Sequence, residues 1–204
     1  EQLQEPSVQS IVVNSGNANA CTGEEGMSNA CRMTELTANA LSIPSDQVLV
    51  CSTGVIGQQL PMDKIEAGIA EAATQLSTTG GRDTAEAIMT TDTIPKEIAV
   101  EVEISGQPVR IGGTAKGSGM IAPNMATMLS FIFTDANIPA VFLKAILKKV
   151  TSTTFNSITV DGDTSTNDMV AIFATGKARN SKIYNVLDPK LKDFEKALHR
   201  LCLN

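Results

Sequence analysis

The sequence is poor in aromatic residues and in histidine. Only 3% of its 204 residues are aromatic, tryptophan is absent, and the one histidine is His199. Its core must therefore be built from aliphatic side chains and methionine, and a hydrophobic content of 42% is enough for a sizeable one. A Ser–His–Asp triad is not expected, because the single imidazole falls in a predicted C-terminal helix, where a structural role is expected.

Other absences argue against whole classes of protein. The net charge is −6 and no long basic stripe occurs, so nucleic acid is not an expected partner. No signal peptide is recognised and no apolar run reaches the roughly 18 residues of a membrane span, so no membrane association is expected. The four cysteines show neither a CxxC pair nor metal-ligand spacing. They predict reduced, mostly buried thiols, no metal site, and a cytoplasmic location, or an organelle matrix if a transit peptide precedes the sequence.

The most unusual stretch runs from residue 112 to residue 135, GGTAKGSGMIAPNMATMLSFIFTD. Its first half is rich in glycine and carries one cation, Lys116, whereas its second half, from Thr127, predicts a buried strand. A threonine hydroxyl needs a neighbouring base to act as a nucleophile. Because the one histidine lies in the predicted C-terminal helix, the remaining base is the α-amine of Thr127 itself, freed if the Ala126–Thr127 bond is cut. The alternative is an ordinary loop before a core strand, with Lys116 in solvent.

Local patterns predict an α/β protein with several strands and helices. Strands are expected at 10–14, 47–51, 96–104, 108–114, 158–160 and 169–175, and the short segment 85–91 is also assigned to a strand. Helices are expected at 24–41, from Pro61 to Leu76, at 139–155 and from Pro189 onward. Residues 52–57 predict a small-residue turn that can present backbone N–H groups to an anion, and residues 90–93 predict a solvated polar turn.

Four long segments carry a family resemblance. They are AKGSGMIAPNMATMLSF at 115–131, VVNSGNANACTGEEG at 12–26, CSTGVIGQQLPM at 51–62 and ITVDGDTSTND at 158–168. Together they resemble glutamate N-acetyltransferase, also called ornithine acetyltransferase, of arginine biosynthesis. The match is in order and spreads over most of the sequence.

The resemblance implies a layered α-β-β-α sandwich that cuts itself into an α chain, 1–126, and a β chain beginning at Thr127. Thr127 would carry an acetyl group from N-acetylornithine to glutamate. Thr53 and Gly54 match the oxyanion hole of the family, and Thr90, Lys116 and Thr127 match its substrate-binding residues. The cleavage site would be Ala126–Thr127.

The resemblance further implies an assembly of two α and two β chains and no cofactor, while acetyl-CoA as a further acetyl donor stays open. Family members extend beyond residue 204, so their acidic and C-terminal substrate-binding residues cannot be named. The loop Asp161–Asp168 resembles a calcium loop in composition, but it lacks the glycine and the glutamate that such a loop requires. It matches the family and is expected to shape the surroundings of the nucleophile, without an assigned step.

Two other functions stay open. One is a related amide hydrolase or aminopeptidase with a self-generated N-terminal nucleophile, and the other is a non-catalytic soluble module whose chain remains uncut. Thr90 and Lys116 favour an amino-acid substrate for either enzyme. Transfer of acetyl to glutamate, rather than hydrolysis, would separate the two enzymes, and cleavage into two pieces would argue against the module.

Overall fold

A computed structural model describes residues 8–120 and 128–204 of the chain. Ala126 and Thr127 therefore lie outside the described residues. The chain divides into two compact units, residues 1–90 and 91–204, which are described separately below. Both contain helices and a sheet, which confirms the predicted α/β class. Within the described ranges, every helix is too short or too polar to span a bilayer.

The first unit is built on a pair of parallel strands with three helices. The strands are β1 (Ser10–Asn17) and β2 (Val48–Val55), and the helices are α1 (Gly23–Leu41), α2 (Met62–Thr74) and α3 (Gly81–Ala87). A small core forms where Met33 of α1 and Ile69 of α2 meet Leu60, with Val12 and Val50 of the strands packed against them. The predictions of the two strands and of α1 and α2 are confirmed.

Strand β2 is longer than its sequence pattern indicates. The turn predicted at 52–57 is wrong for residues 52–55, because the ladder to β1 continues and pairs Thr53 with Ser15 and Gly54 with Gly16. Gly54 has φ 132°, and a Cβ atom there would lie 2.2 Å from the carbonyl carbon of Gly16. The two strands can approach this closely because position 54 is glycine, whereas a Cβ atom at Gly16 would meet no atom within 4 Å.

The strand predicted at 85–91 is also wrong, because this region begins with helix α3 and continues as irregular backbone. Its run of alanine and glutamate favours a helix, and a segment this short shows too few repeats for periodicity to decide. Ala85 and Ile88 are buried, and an ion pair joins Arg82 to Glu86 one turn later at 2.7 Å. Leu76, expected on the apolar face of α2, lies beyond the end of that helix and is exposed.

The second unit contains a four-stranded sheet and two longer helices. Its strands lie in the order β3 (Lys96–Ile104), β4 (Gln107–Lys116), β5 (Leu129–Thr134) and β6 (Met169–Ala174). The first two pairings are antiparallel and the third is parallel. The hairpin prediction is confirmed, with Ser105 and Gly106 at positive φ in its turn. The strand predicted at 158–160 is reduced to bridge residues at 160 and 161.

Helices α4 (Ala140–Thr151) and α5 (Leu191–Leu203) form the core of the second unit with the sheet. The expected apolar face of α5 is confirmed, since its four members are all buried: Leu191, Phe194, Leu198 and Leu201. His199 lies beside that face, and its Nε2 is 3.2 Å from the Thr153 hydroxyl, just beyond α4. This contact between α5 and the turn after α4 is consistent with a structural role for the histidine.

All four cysteines are free thiols, but only two of them are buried. Burial raises the pKa of Cys51 to about 11 and that of Cys202 to about 12, so both stay protonated at neutral pH. Cys21 and Cys31 are exposed, so the prediction of mostly buried cysteines holds for half of them.

The close approach of β1 and β2 generates a stability prediction. Gly54→Ala should lower the free energy of unfolding by about 2–5 kcal/mol, because the added methyl meets the backbone of Gly16 at an unfavourable φ. Gly57→Ala is a matched control, since Gly57 has φ 78° but no atom within 4 Å of its Cβ position. The control should lose only about 1–2 kcal/mol. Urea denaturation measures both, and equal losses would contradict the steric argument.

Candidate functional site

The site in the second unit lies at the sheet edge where β4 ends and β5 and β6 begin. Strand β4 is antiparallel to β5, and β5 is parallel to β6, so these three ends meet at one edge. The register pairs Lys116 with Leu129, and Leu129 with Met169. The glycine-rich segment leaves β4 at this edge, and the chain enters β5 there at Leu129, two residues after Thr127.

Lys116 is a buried cation at the end of β4. It is 2% exposed, so the alternative of a solvated loop side chain is wrong. Burial lowers the pKa of its ammonium group, while the neighbouring carboxylates of Asp92 and Asp168 raise that pKa and the charge of Lys96 lowers it. The positive charge is thus desolvated and set between two acids.

Asp92 fixes the backbone that follows Lys116. Its side chain has no exposed surface, and its Oδ1 accepts hydrogen bonds from the Lys96 ammonium at 2.6 Å and from the Gly117 N–H at 2.7 Å. The Lys96 ammonium also donates to the Gly117 carbonyl at 3.2 Å. The prediction of a solvated turn at 90–93 is therefore wrong for Asp92, which is buried because it satisfies these donors.

Asp168 holds the start of β5 in a similar way. Its Oδ1 accepts the Met128 N–H at 2.8 Å, and the Met169 N–H donates to the Met128 carbonyl at 2.9 Å. Burial raises the pKa of the Asp168 carboxyl, whereas the Met128 N–H, the Ser165 side chain and the charge of Lys116 lower it. Met128 is the residue that follows Thr127, the predicted nucleophile outside the described ranges.

The first unit contains the other predicted site residues. Thr53 is completely buried in β2, next to Gly54, and pairs with Ser15 of β1. The Ser15 hydroxyl donates to the Ala87 carbonyl at 2.6 Å, at the end of α3. Ser15 thus connects the strand pair carrying Thr53 to the helix that ends shortly before Thr90, which is exposed.

The chemistry available at the sheet edge is that of paired charges rather than of a metal centre. Among residues 8–120 and 128–204, no group of histidine, cysteine, aspartate or glutamate side chains could hold a metal ion. A desolvated ammonium group attracts a carboxylate more strongly than an exposed one does, because little water screens the pair. Lys116 therefore attracts anionic groups near the start of β5, as the carboxylates of Asp92 and Asp168 already show.

The sequence profile of the ArgJ family matches residues 1–204. The chain belongs to the ArgJ family. The arginine biosynthesis bifunctional protein ArgJ of Symbiobacterium thermophilum is 58% identical over 176 residues, which cover 86% of this chain and 44% of that protein. The ArgJ protein of Gluconobacter oxydans is 48% identical over 203 residues, covering 100% of this chain and 48% of the relative. The chain thus spans about half the length of these curated relatives.

A solved structure agrees with this membership. The crystal structure of the ArgJ protein from Bacillus halodurans is similar with a TM-score of 0.52 and 46% sequence identity. The match covers 58% of this chain and 61% of that one. The resemblance drawn from the four sequence segments is confirmed at the level of the ArgJ family.

The two carboxylates at this edge of the sheet were not predicted from the sequence. Asp92 lies in a run of threonines typical of solvated turns, and Asp168 ends a polar loop with no assigned step. One signal was available for Asp168, because an acidic residue immediately before an apolar run marks the start of a strand, here β6. No comparable signal distinguishes Asp92 from an exposed turn residue.

The buried cation generates a prediction about pH. The pKa of Lys116 is lower in the folded chain than its ordinary 10.5, so the unfolded chain binds more protons in the interval between the two values. The stability contributed by this group is present above pH 10.5 and is lost as the pH falls through the folded value. Lys116→Met should therefore gain free energy of unfolding relative to the unmodified protein at pH 7.5, and gain less at pH 10.

Urea denaturation at the two pH values measures this difference. The exposed Lys177 provides the control, since Lys177→Met should change the free energy of unfolding by less than about 0.5 kcal/mol at both. A Lys116→Met gain that grew from pH 7.5 to pH 10 would contradict the direction of the shift.

Proposed function

We propose that this chain is part of a glutamate N-acetyltransferase that moves an acetyl group from N-acetylornithine to glutamate through Thr127. The observation that carries the proposal is the buried ammonium of Lys116. It lies in register with Leu129, two residues after Thr127. Family membership and the four matching segments support the same reaction.

The first step of the proposal is self-cleavage. The Thr127 hydroxyl attacks the Ala126 carbonyl carbon, a C–O bond forms, and the C–N bond between the two residues breaks. The hydroxyl proton ends on the released nitrogen, which leaves an ester at Thr127. Water then hydrolyses this ester and gives an α chain ending in the Ala126 carboxylate and a β chain beginning with a free Thr127 amine. That amine titrates near neutral pH and so can act as the base for later steps.

The transfer itself has two halves. The Thr127 hydroxyl attacks the acetyl carbonyl of N-acetylornithine, its proton passes through the Thr127 amine to the leaving nitrogen, and ornithine departs. The α-amine of glutamate then attacks the acetyl-threonine ester, and N-acetylglutamate leaves as the hydroxyl is restored. In both halves the developing oxyanion would receive donors from Thr53 and Gly54, each worth about 3–4 kcal/mol of barrier.

Lys116 and Thr90 are proposed to bind the amino-acid part of the substrate. The cost of burying the Lys116 charge is offset when a substrate carboxylate arrives as an additional anion. A solvated lysine would gain less from the same contact, because its water shell would have to be removed first. The proposal also includes an assembly of two α and two β chains, a cytoplasmic location, and acetyl-CoA as a second acetyl donor.

Substitutions of Thr127 test the proposed function. In protein expressed from the complete coding sequence, Thr127→Ala should give a single uncut chain without acetyl transfer. Thr127→Ser retains a hydroxyl, so it should still be cut and should transfer acetyl at a reduced rate. Intact mass and a denaturing gel follow the cutting, and labelled acetyl from N-acetylornithine follows the transfer.

Two outcomes would overturn the assignment. A Thr127→Ala protein that is cut and active would remove Thr127 from both reactions. An unmodified protein that delivers labelled acetyl to water and not to glutamate would instead be an amide hydrolase of the same family type.

A further inference from the structure

The loop Asp161–Asp168 contacts both flanks of the segment that contains the proposed cleavage site. At its beginning, the Asp161 carboxylate accepts the Met120 N–H at 2.6 Å. At its end, the Asp168 carboxylate accepts the Met128 N–H at 2.8 Å. Met120 and Met128 are the last and first described residues on either side of 121–127. One short loop thus supplies a charged acceptor to each side.

The contact at Met128 is the more constrained of the two. Both backbone groups of Met128 are used, because its N–H donates to Asp168 and its carbonyl accepts the Met169 N–H at 2.9 Å. Met128 is also 7% exposed, and the regular β5–β6 ladder continues from Leu129. Met128 is therefore fixed to Asp168, the residue directly before β6, and to Met169, the first residue of β6.

The Asp168 carboxylate is itself oriented by its surroundings. Besides Met128, the Ser165 side chain hydrogen-bonds to it, and the charge of Lys116 at the end of β4 attracts it. Asn167, which lies between Ser165 and Asp168 in the loop, donates its N–H to the Ser165 hydroxyl at 3.2 Å. A half-buried carboxylate with several partners has little rotational freedom, so its acceptor position is well defined.

We propose that Asp168 is a positioning residue for Thr127, acting by holding the Met128 N–H one peptide bond away from the reacting residue. The inference rests on the proposed function, since it concerns the cutting of Ala126–Thr127. An intramolecular attack requires the reacting atoms about 3–3.5 Å apart and aligned, and a misplacement of about 1 Å costs about 100-fold in rate. Loss of the Asp168 acceptor would leave Met128 held by its carbonyl alone, which would allow displacements of this size while the ladder from Leu129 stays paired.

Three substitutions of Asp168 separate position from charge. Asp168→Asn keeps an acceptor oxygen at the same place without the charge, and it should cut within about threefold of the unmodified rate. Asp168→Glu keeps the charge but moves the oxygen by one methylene, and Asp168→Ala removes the acceptor. Both should slow cutting by about 10–100-fold. Asp163→Ala is the matched control, because Asp163 is exposed in the same loop and its carboxylate accepts no hydrogen bond from a described residue.

The measurement is the rate of cutting after pulse-labelled synthesis from the complete coding sequence, resolved on a denaturing gel. Thermal unfolding of each purified variant is recorded in parallel, and rates are compared at a temperature where all variants are folded. A purely structural role for Asp168 would lower the unfolding temperature without this order of rates. Asn and Glu are both close in size to aspartate, so the comparison stands even if Asp168→Ala does not fold.

The outcomes distinguish this inference from the function on which it rests. Cutting at the unmodified rate in Asp168→Ala and Asp168→Glu, or faster cutting in Asp168→Glu than in Asp168→Asn, would overturn the positioning role and leave the acetyltransferase proposal intact. An unmodified protein that is never cut, or a Thr127→Ala protein that is cut, would overturn both.

Discussion

The hydrogen bond from the Met128 N–H to the Asp168 carboxylate connects the entry of β5 to the residue immediately before β6. The parallel pairing of these strands requires their first residues to lie side by side, and the antiparallel β4 brings its last residue, Lys116, to the same edge. The strand pairing alone therefore places the start of β5 between the cation Lys116, at the end of β4, and the anion Asp168, directly before β6. The candidate chemistry of the second unit depends on this arrangement.

Burial of charge is the cost of the arrangement. Lys116 and Asp168 both lose hydration, which lowers the pKa of the first and raises that of the second, and the two charges offset part of this cost for each other. The Asp92 side chain is fully buried as well, and one of its oxygens accepts two hydrogen bonds that compensate for part of its lost hydration. The exposed pair of Arg110 and Glu101 in the same sheet is screened by water and contributes little. Buried charges at this edge lower the free energy of unfolding but give the site an electric polarity that an apolar edge would lack.

Much of the fold was predictable from local patterns. The alternation in 96–104 and the turn at Ser105–Gly106 specify the hairpin, and the spacing of apolar residues specifies α5. The extension of β2 through Gly54 was not predictable, because it depends on the close approach of Gly54 to the backbone of the partner strand, which no local pattern shows. The burial of Lys116 was missed for a related reason. Alternation places Lys116 on the β4 face that exposes Arg110, and only tertiary packing buries the end of that face.

The most direct test of the account concerns the acyl group on the mature protein. The unmodified enzyme is incubated with N-acetylornithine in the absence of glutamate, and the peptide at the start of the β chain is analysed by mass spectrometry. We expect a peptide that begins with Thr127, with a free α-amine and an acetyl ester on its hydroxyl that hydroxylamine removes. An active enzyme in which Ala126 is still bonded to Thr127, or in which the acetyl group is carried by another residue, would contradict it.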